Sequence, residues 1–312
     1  MTSPPALPYG VRLAWQDLPR SVLGWVEAAL GAPVVRADSQ PGGFSPGVAA
    51  RVVTADGARG FVKAVSTAQN PDTPDLLRRE IRVLRSMPAS AGVPLLLEAH
   101  DDGEWVGLLI EDVEGRHPTT PWVHAEIRAT FEALRGLASQ TAPEEWPALE
   151  DELRGDFAAW SRIAATPPRD LDPWLAGRLE LLDGLSGEVL PRLAGRSITH
   201  TDTRADNLLL TPGGEVRVVD WPWAAQGAGW VDAAALLVNL ELYGAVDPLD
   251  YLPLVRAQGA TDRDVVGLVA GMGGLFTETS ARPPAPGLPT VRAFQVAQGR
   301  ACTRLLRRFG GL

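Results

Sequence analysis

The sequence predicts an α+β fold of two lobes: a β-rich N-terminal lobe with one inserted helix, then a mainly helical C-terminal lobe. Three observations carry that expectation. Strand-like segments dominate residues 1–112, helical periodicity takes over after Gly115, and a short β insert at 197–220 interrupts the helices. The boundary is expected at Glu111–Gly115, giving lobes of 1–112 and 113–312.

Residues 19–30 read as a helix, with Val22, Leu23, Val26 and Leu30 on one face. Extended segments follow at Val34–Ala37, Val48–Thr54 and Gly60–Val65. The first pair is joined by Gly42-Gly43-Phe44-Ser45-Pro46-Gly47, the second by the turn Ala55-Asp56-Gly57. The inserted helix runs from Asp75 to Met87, with Leu77, Ile81 and Leu84 in helical register and Pro88 as its stop. Two further strands, Leu95–Ala99 and Val106–Ile110, flank the turn His100–Gly103. In the second lobe the pattern gives helices at 122–140, 147–162 and 173–190, then near 231–243, 261–279 and 289–308.

At 312 residues the chain buries a full core, and its 45% apolar and 21% charged residues are those of a folded enzyme rather than a disordered chain. A formal charge of −9 argues against general nucleic-acid or anionic-membrane binding, both of which need a basic face. One cysteine, Cys302, excludes an intramolecular disulfide and a thiolate metal site within one chain. The first residues lack the apolar core of a signal peptide, and no run has the length of a spanning helix, so a cytoplasmic protein is expected, monomer or homodimer.

The chemistry concentrates in Ser197-Ile198-Thr199-His200-Thr201-Asp202-Thr203-Arg204-Ala205-Asp206-Asn207, with Asp220 following at the end of Val216–Val219. Apolar runs at Leu208–Leu210 and Val218–Val219 predict a hairpin with the acids at its loop ends. The spacing His-x-Asp-x-x-x-x-Asn, then Asp after a strand, is the catalytic-loop pattern of phosphoryl transfer. That reaction needs a carboxylate to align an acceptor hydroxyl and take its proton, the expected part of Asp202. It also needs Mg²⁺, which prefers hard oxygen ligands such as those of Asn207 and Asp220. Singly, each of these residues is an ordinary turn-former or strand end; the spaced set is what carries the signal.

His200–Asn207 followed by Val219-Asp220-Trp221 resembles the aminoglycoside phosphotransferase and choline kinase-like group of small-molecule kinases, over nearly the whole chain. The resemblance implies a protein-kinase-like fold, ATP and Mg²⁺ as cofactors, and a small-molecule hydroxyl as acceptor. It makes Asp202 the catalytic base, Asn207 and Asp220 the metal ligands, and His200 a structural support. Two departures stand out. Thr201 replaces the glycine of the common His-Gly-Asp, and Arg204 lies inside the loop, placed either to stabilise the transferring phosphate or to pair with a carboxylate.

In the first lobe, Lys63 alternates within Phe61-Val62-Lys63-Ala64-Val65, and Glu80 lies 17 residues on in the inserted helix. Alone, such a lysine reads as the solvent face of an edge strand; with Glu80 it resembles the pair that positions the α- and β-phosphates. Gly42, Gly43 and Ser45 belong to the loop expected to cover the nucleotide, where missing side chains let backbone N–H groups approach phosphate. Leu108–Gly115 resembles the family's hinge, implying that main-chain groups of Glu111 and Val113 pair with adenine. Asp232 is expected to brace the catalytic loop or cap its helix.

Gly43-Phe44-Ser45-Pro46-Gly47 also satisfies the nucleophile-elbow pattern of serine hydrolases. That elbow must open a helix, whereas Val48–Thr54 alternates like a strand. A nucleotide-binding pseudokinase is a second rival, opposed by the joint presence of Lys63, Asp202, Asn207 and Asp220. An antibiotic hydroxyl is the first expectation for the acceptor; a sugar, amino alcohol or nucleoside-like metabolite is the alternative. Glu241, Asp247, Asp250 and Glu278 are possible contacts for an antibiotic acceptor, though each reads first as a solvated surface charge, and residues 285–312 carry five arginines and no acid, the wrong sign for a polycation.

Overall fold

The computed structural model describes residues 12–40, 43, 45–89 and 92–310. Helix α1 (Arg20–Leu30) precedes an antiparallel five-stranded sheet of β1 (Val34–Ser39), β2 (Val48–Thr54), β3 (Arg59–Ser66), β4 (Leu96–Asp101) and β5 (Trp105–Ile110). Helix α2 (Thr73–Ser86) is inserted between β3 and β4, and the spatial order is β1-β2-β3-β5-β4. β3 is therefore central rather than an edge. Its period-two alternation sends Val62 and Ala64 toward α1 and Val65 toward α2, where Leu77, Ile81 and Leu84 close the opposite face.

Lys63 shares the α2 side of β3, and Glu80 shares the buried stripe of α2. The two meet because a strand of period two and a helix of period 3.6 both turn these faces inward. At the start of α2, the Asn70 side chain accepts hydrogen bonds from the N–H groups of Asp72 and Thr73 and from the Thr73 hydroxyl. It satisfies donors that the first helical turn leaves open.

The C-terminal lobe comprises α3 (His124–Ala138), α4 (Leu149–Phe157), α5 (Ala159–Ala165), α6 (Pro173–Ala176) and α7 (Leu179–Val189). A β insert follows, and then α8 (Val231–Tyr243), α9 (Leu252–Arg256), α10 (Asp262–Ser280) and α11 (Val291–Arg308). The insert consists of β6 (Ser197–Thr199), β7 (Leu208–Leu210), β8 (Val216–Val218) and β9 (Ala225–Gly227), paired as β6–β9 and β7–β8.

Two predicted helices are broken. The stretch 147–162 divides at Ala158, which brings both Phe157 and Trp160 into the core against glycines of α10. The stretch 173–190 divides at Gly177 and Arg178, after the single turn that Pro173 begins. Strand β9 and the turn-plus-helix at 248–256 escaped the sequence reading, being too short for periodicity to register. One core runs through both lobes, from Val65, Ile81 and Leu108 to Trp221, Leu236 and Val269.

Candidate active site

The β7–β8 hairpin brings the motif together. Its ladder pairs Leu208 with Val218, and one step beyond, the Val219 N–H donates to the Asn207 carbonyl at 2.9 Å. Asn207 and Asp220 therefore stand at the same end of the hairpin. The Asn207 amide Nδ2 donates to the Asp202 carbonyl at 2.8 Å and to its carboxylate at 2.9 Å. Arg204 completes the loop: its Nη1 donates to both Asp202 oxygens at 2.9 Å, and its Nε and Nη2 reach Asp206 at 2.9 Å. Of the two roles considered for Arg204, pairing is what these bonds describe. Burial, the largest influence on Asp202, pushes its pKa above the ordinary carboxylate value against the opposing pull of Arg204.

Lys63 crosses the cleft. Its Nζ donates to both Glu80 oxygens at 2.8 Å and to Asp220 Oδ1 at 2.6 Å, joining β3, α2 and the loop after β8. Burial opposes ionisation of Asp220, but the charge and hydrogen bond of Lys63 outweigh it and hold the pKa below its usual value. Glu80 is pushed upward by burial despite the same lysine. Lys63 is the only lysine in the chain. Arginine serves elsewhere, including between Asp202 and Asp206, whereas a compact ammonium stands between Glu80 and Asp220. That compositional fact was a sharper signal than its place in a strand.

Asp232, in the first turn of α8, braces the loop. One of its oxygens accepts from the His200 N–H at 2.7 Å; the other accepts from the Thr201 N–H at 2.8 Å and the Thr203 hydroxyl at 3.2 Å. The fully buried His200 ring sits within hydrogen-bond distance of the Val219 and Asp220 carbonyls and lies edge-on to Trp221, 4.7 Å between centroids. Thr201 has φ +68°, the left-handed region in which glycine is unstrained and a β-branched residue is rare. This accounts physically for a glycine in His-Gly-Asp. Here the Thr201 hydroxyl gains a bond to the Trp223 carbonyl at 2.9 Å in partial return.

Asp202, Asn207, Asp220, Lys63, Glu80 and Arg204 line one cavity of about 870 Å³, which also reaches Gly43, Ser45, Glu111 and Val113. Gly42 lies outside the described residues. Gly47 closes the glycine-rich loop where a Cβ would stand 2.1 Å from the Ala64 carbonyl oxygen, so only glycine fits. Ser45 leads into β2 and not into a helix, and its hydroxyl accepts from the Gly47 N–H at 3.3 Å. With the His200 ring engaged by main-chain carbonyls, no hydrolase triad forms around Ser45. The Glu111 N–H pairs with the Leu95 carbonyl, and the Val113 carbonyl accepts from Arg51 at 3.0 Å. Among the described residues, no hydrogen bond takes up the Glu111 carbonyl or the Val113 N–H.

Two oxygens suit a hard cation. Asn207 turns its Nδ2 to Asp202, leaving Oδ1 as an acceptor, and Asp220 spends only Oδ1 on Lys63. Among the described residues, no three His, Cys, Asp or Glu side chains form a metal cluster. A pair of protein oxygens completed by phosphate is nevertheless the habit of Mg²⁺, and the donor set fits it.

The cavity residues that escaped the sequence reading include three charged ones. Arg12 lies against Gly43, its Nη2 standing 2.8 Å from where a Cβ would be, and it feels the charge of Asp220. Asp206 is the second carboxylate held by Arg204, and Asp156 comes from the end of α4. Nothing in the local sequence of Arg12 or Asp156 distinguishes them from surface charges, and Asp206 lies inside the motif without an expected part of its own.

The acids weighed as acceptor contacts lie outside the cavity, in line with their first reading as surface charges. Glu241 pairs with Arg304 and Arg308, Asp247 with Arg308, and Glu278 with Arg162 and Arg282. None of these acids lines the cavity, nor does Asp250. Arg304, Arg307 and Arg308 pair with Glu241, Asp172 and Asp247, and the α11 residues that line the cavity are Val291, Phe294 and Gln295, none of them basic. Among the described residues, no helix is long and apolar enough to cross a membrane.

No curated protein matches the chain at a significant level. Solved structures match along nearly its full length. An aminoglycoside phosphotransferase, APH(4)-Ia, in ternary complex with AMP-PNP and hygromycin B, aligns with TM-score 0.63 at 13% identity, covering 94% of this chain and 100% of that one. Choline kinase LicA of Streptococcus pneumoniae gives 0.62 at 13% identity over 92% and 98%. An aminoglycoside phosphotransferase of Alicyclobacillus acidocaldarius gives 0.57 at 14% over 95% and 97%. At such identities these likenesses speak for the fold. The model of the phosphotransferase enzyme family APH matches residues 41–268, well over half of the chain. On that match, and with a kinase-like cleft in place, the chain belongs to the APH phosphotransferase enzyme family and is a small-molecule kinase.

Proposed function

We propose that the chain transfers the γ-phosphate of ATP to a hydroxyl of a small molecule, in the cytoplasm, with no covalent enzyme intermediate. The observation that carries this reading is the meeting of Lys63, Glu80 and Asp220 across the same cavity that holds Asp202 and Asn207. Adenine would pair with the Glu111 carbonyl and the Val113 N–H, in a hinge at 111–115 between lobes of 1–112 and 113–312. Lys63 and Arg12 would face the phosphates, with Gly43 and Ser45 above them. Asn207 Oδ1 and Asp220 would hold Mg²⁺, which offsets phosphate charge as it accumulates.

Asp202 accepts the acceptor's hydroxyl proton as that oxygen bonds to the γ-phosphorus, while the bond to the departing ADP oxygen breaks. Arg204 keeps the Asp202 carboxylate aimed and ionised. The likeness to aminoglycoside kinases supports an antibiotic acceptor, and that to choline kinase supports an amino-alcohol metabolite.

The test is ADP release across panels of antibiotics, sugars and amino alcohols, with wild type and Asp202→Ala compared. General-base removal is expected to lower kcat by about 10²–10⁴-fold. Unchanged turnover of a confirmed acceptor by Asp202→Ala would show that another group takes the proton.

A further inference from the structure

The acceptor end of the cavity is made of the wrong material for a polycation. Its walls are Leu153 and Phe157 of α4, Met272 and Phe276 of α10, Leu288, and Phe294 of α11. The Arg204 guanidinium lies 4.8 Å from the Phe294 ring centroid, so the apolar chamber begins where the Asp202–Arg204 pair ends. Met272 and Phe276 also border a hollow of about 40 Å³ beside Asp202. Such walls favour ligands that bring apolar surface out of water and disfavour groups that must shed hydration without a partner.

The carboxylates facing the cavity are almost all engaged. Glu80 and Asp220 hold Lys63, Asp202 and Asp206 hold Arg204, Asp112 holds Arg51 and Arg59, and Glu111 lies 3.6 Å from Arg217. Asp156 differs. Among the described residues, no ion pair or hydrogen bond reaches its carboxylate. Arg162 and Arg282 influence it only at a distance, because their side-chain bonds to carboxylate go to Glu278. Half-buried beside Phe157, it has its pKa pushed upward by burial. A ligand ammonium at this point would offset the lost hydration and gain a charge-assisted hydrogen bond.

Building on the phosphotransfer reading, we propose that the acceptor is an alcohol with an apolar body and a single amine. The ammonium pairs with Asp156, the body packs on Met272, Phe276 and Phe294, and the hydroxyl lies at Asp202. One free carboxylate against an apolar wall matches one cation and leaves no partners for several.

The experiment has two stages. Binding of AMP-PNP with Mg²⁺ by calorimetry comes first, and its absence would sink the kinase reading itself. ADP release is then measured with propranolol, quinine and mefloquine as apolar monoamine alcohols. The glycol in which a hydroxyl replaces the amine of propranolol serves as a neutral control, and kanamycin as a polycation. At least one monoamine is expected to be turned over with kcat/KM above both controls. Asp156→Asn should raise KM for that amine by about tenfold, the factor for losing one charged partner, with kcat and the KM for ATP little changed. The glycol should be indifferent to the substitution. Preference for kanamycin, no advantage of any monoamine over the glycol, or an unchanged amine KM in Asp156→Asn would overturn the proposal while leaving nucleotide binding intact.

Discussion

The proposed base, Asp202, sits in a setting that raises its pKa, and a base is useful only when ionised. Burial lifts it above the ordinary value of 3.8, while Arg204 pulls it back. The activity should therefore be level above the Asp202 pKa and fall about tenfold per unit below it, an acid limb lying above that of a free carboxylate. Arg204→Gln removes the largest opposing charge, so the limb should move further up the pH scale. Limb position does not depend on how much folded enzyme is present, which separates this effect from lost stability. A limb that stays in place in Arg204→Gln would mean that the buried pair does not tune the base. At this scale the sequence was informative wherever residues act in a spaced set. Asp202, Asn207 and Asp220 were readable from their offsets because one hairpin enforces them. Arg12 and Asp156 were not, since each enters the cleft from a segment whose direction is decided by tertiary packing.

Elements were legible in proportion to the length of their periodicity. Val231–Tyr243 emerged with the expected bounds because a long apolar run between the first-turn acid Asp232 and Gly244 leaves little choice. The split between α4 and α5 was not legible, because its cause lies on another helix. On α10, Gly267, Gly271 and Gly274 fall at i, i+4 and i+7 and form a groove for Val189, Phe157 and Trp160. A Cβ on Gly271 would stand 2.4 Å from two carbons of the Phe157 ring, which is only 2% exposed and has nowhere to go. Gly271→Ala is therefore expected to destabilise by about 1–3 kcal/mol through overpacking, despite the helix-propensity gain of about 1 kcal/mol. Gly136→Ala on the exposed face of α3 meets nothing within 4 Å, so only the propensity gain remains and the melting temperature should rise. Two thermal melts decide it: if both substitutions shift stability in the same direction, the groove does not set the α4–α10 contact.

The two lobes are joined by contacts well away from the segment that follows β5. Helix α2 reaches the second lobe through Glu80, which accepts from the Trp221 N–H at 3.3 Å, through Arg79, paired with Glu152, and through Ser86, whose hydroxyl accepts from Trp146. On the far side of the cleft, the Asn70 amide donates to the Pro286 carbonyl at 2.6 Å, tying the cap of α2 to the segment before α11. Beneath these ties the core is continuous, with Leu77 and Ile81 in the same cluster as Trp221 and Leu236. Cooperative unfolding follows from shared burial, since neither lobe can open without exposing the other's apolar surface. Calorimetry should accordingly show a single transition. AMP-PNP with Mg²⁺, binding at the seam, should move that whole transition upward, by about 2.7 kcal/mol of stability at a hundredfold excess over Kd. Two resolved transitions, with only the earlier one responding to nucleotide, would mean that the first lobe holds its fold and its ligand by itself. Glu80 and Asn70 would then be contacts between independent units instead of parts of one core.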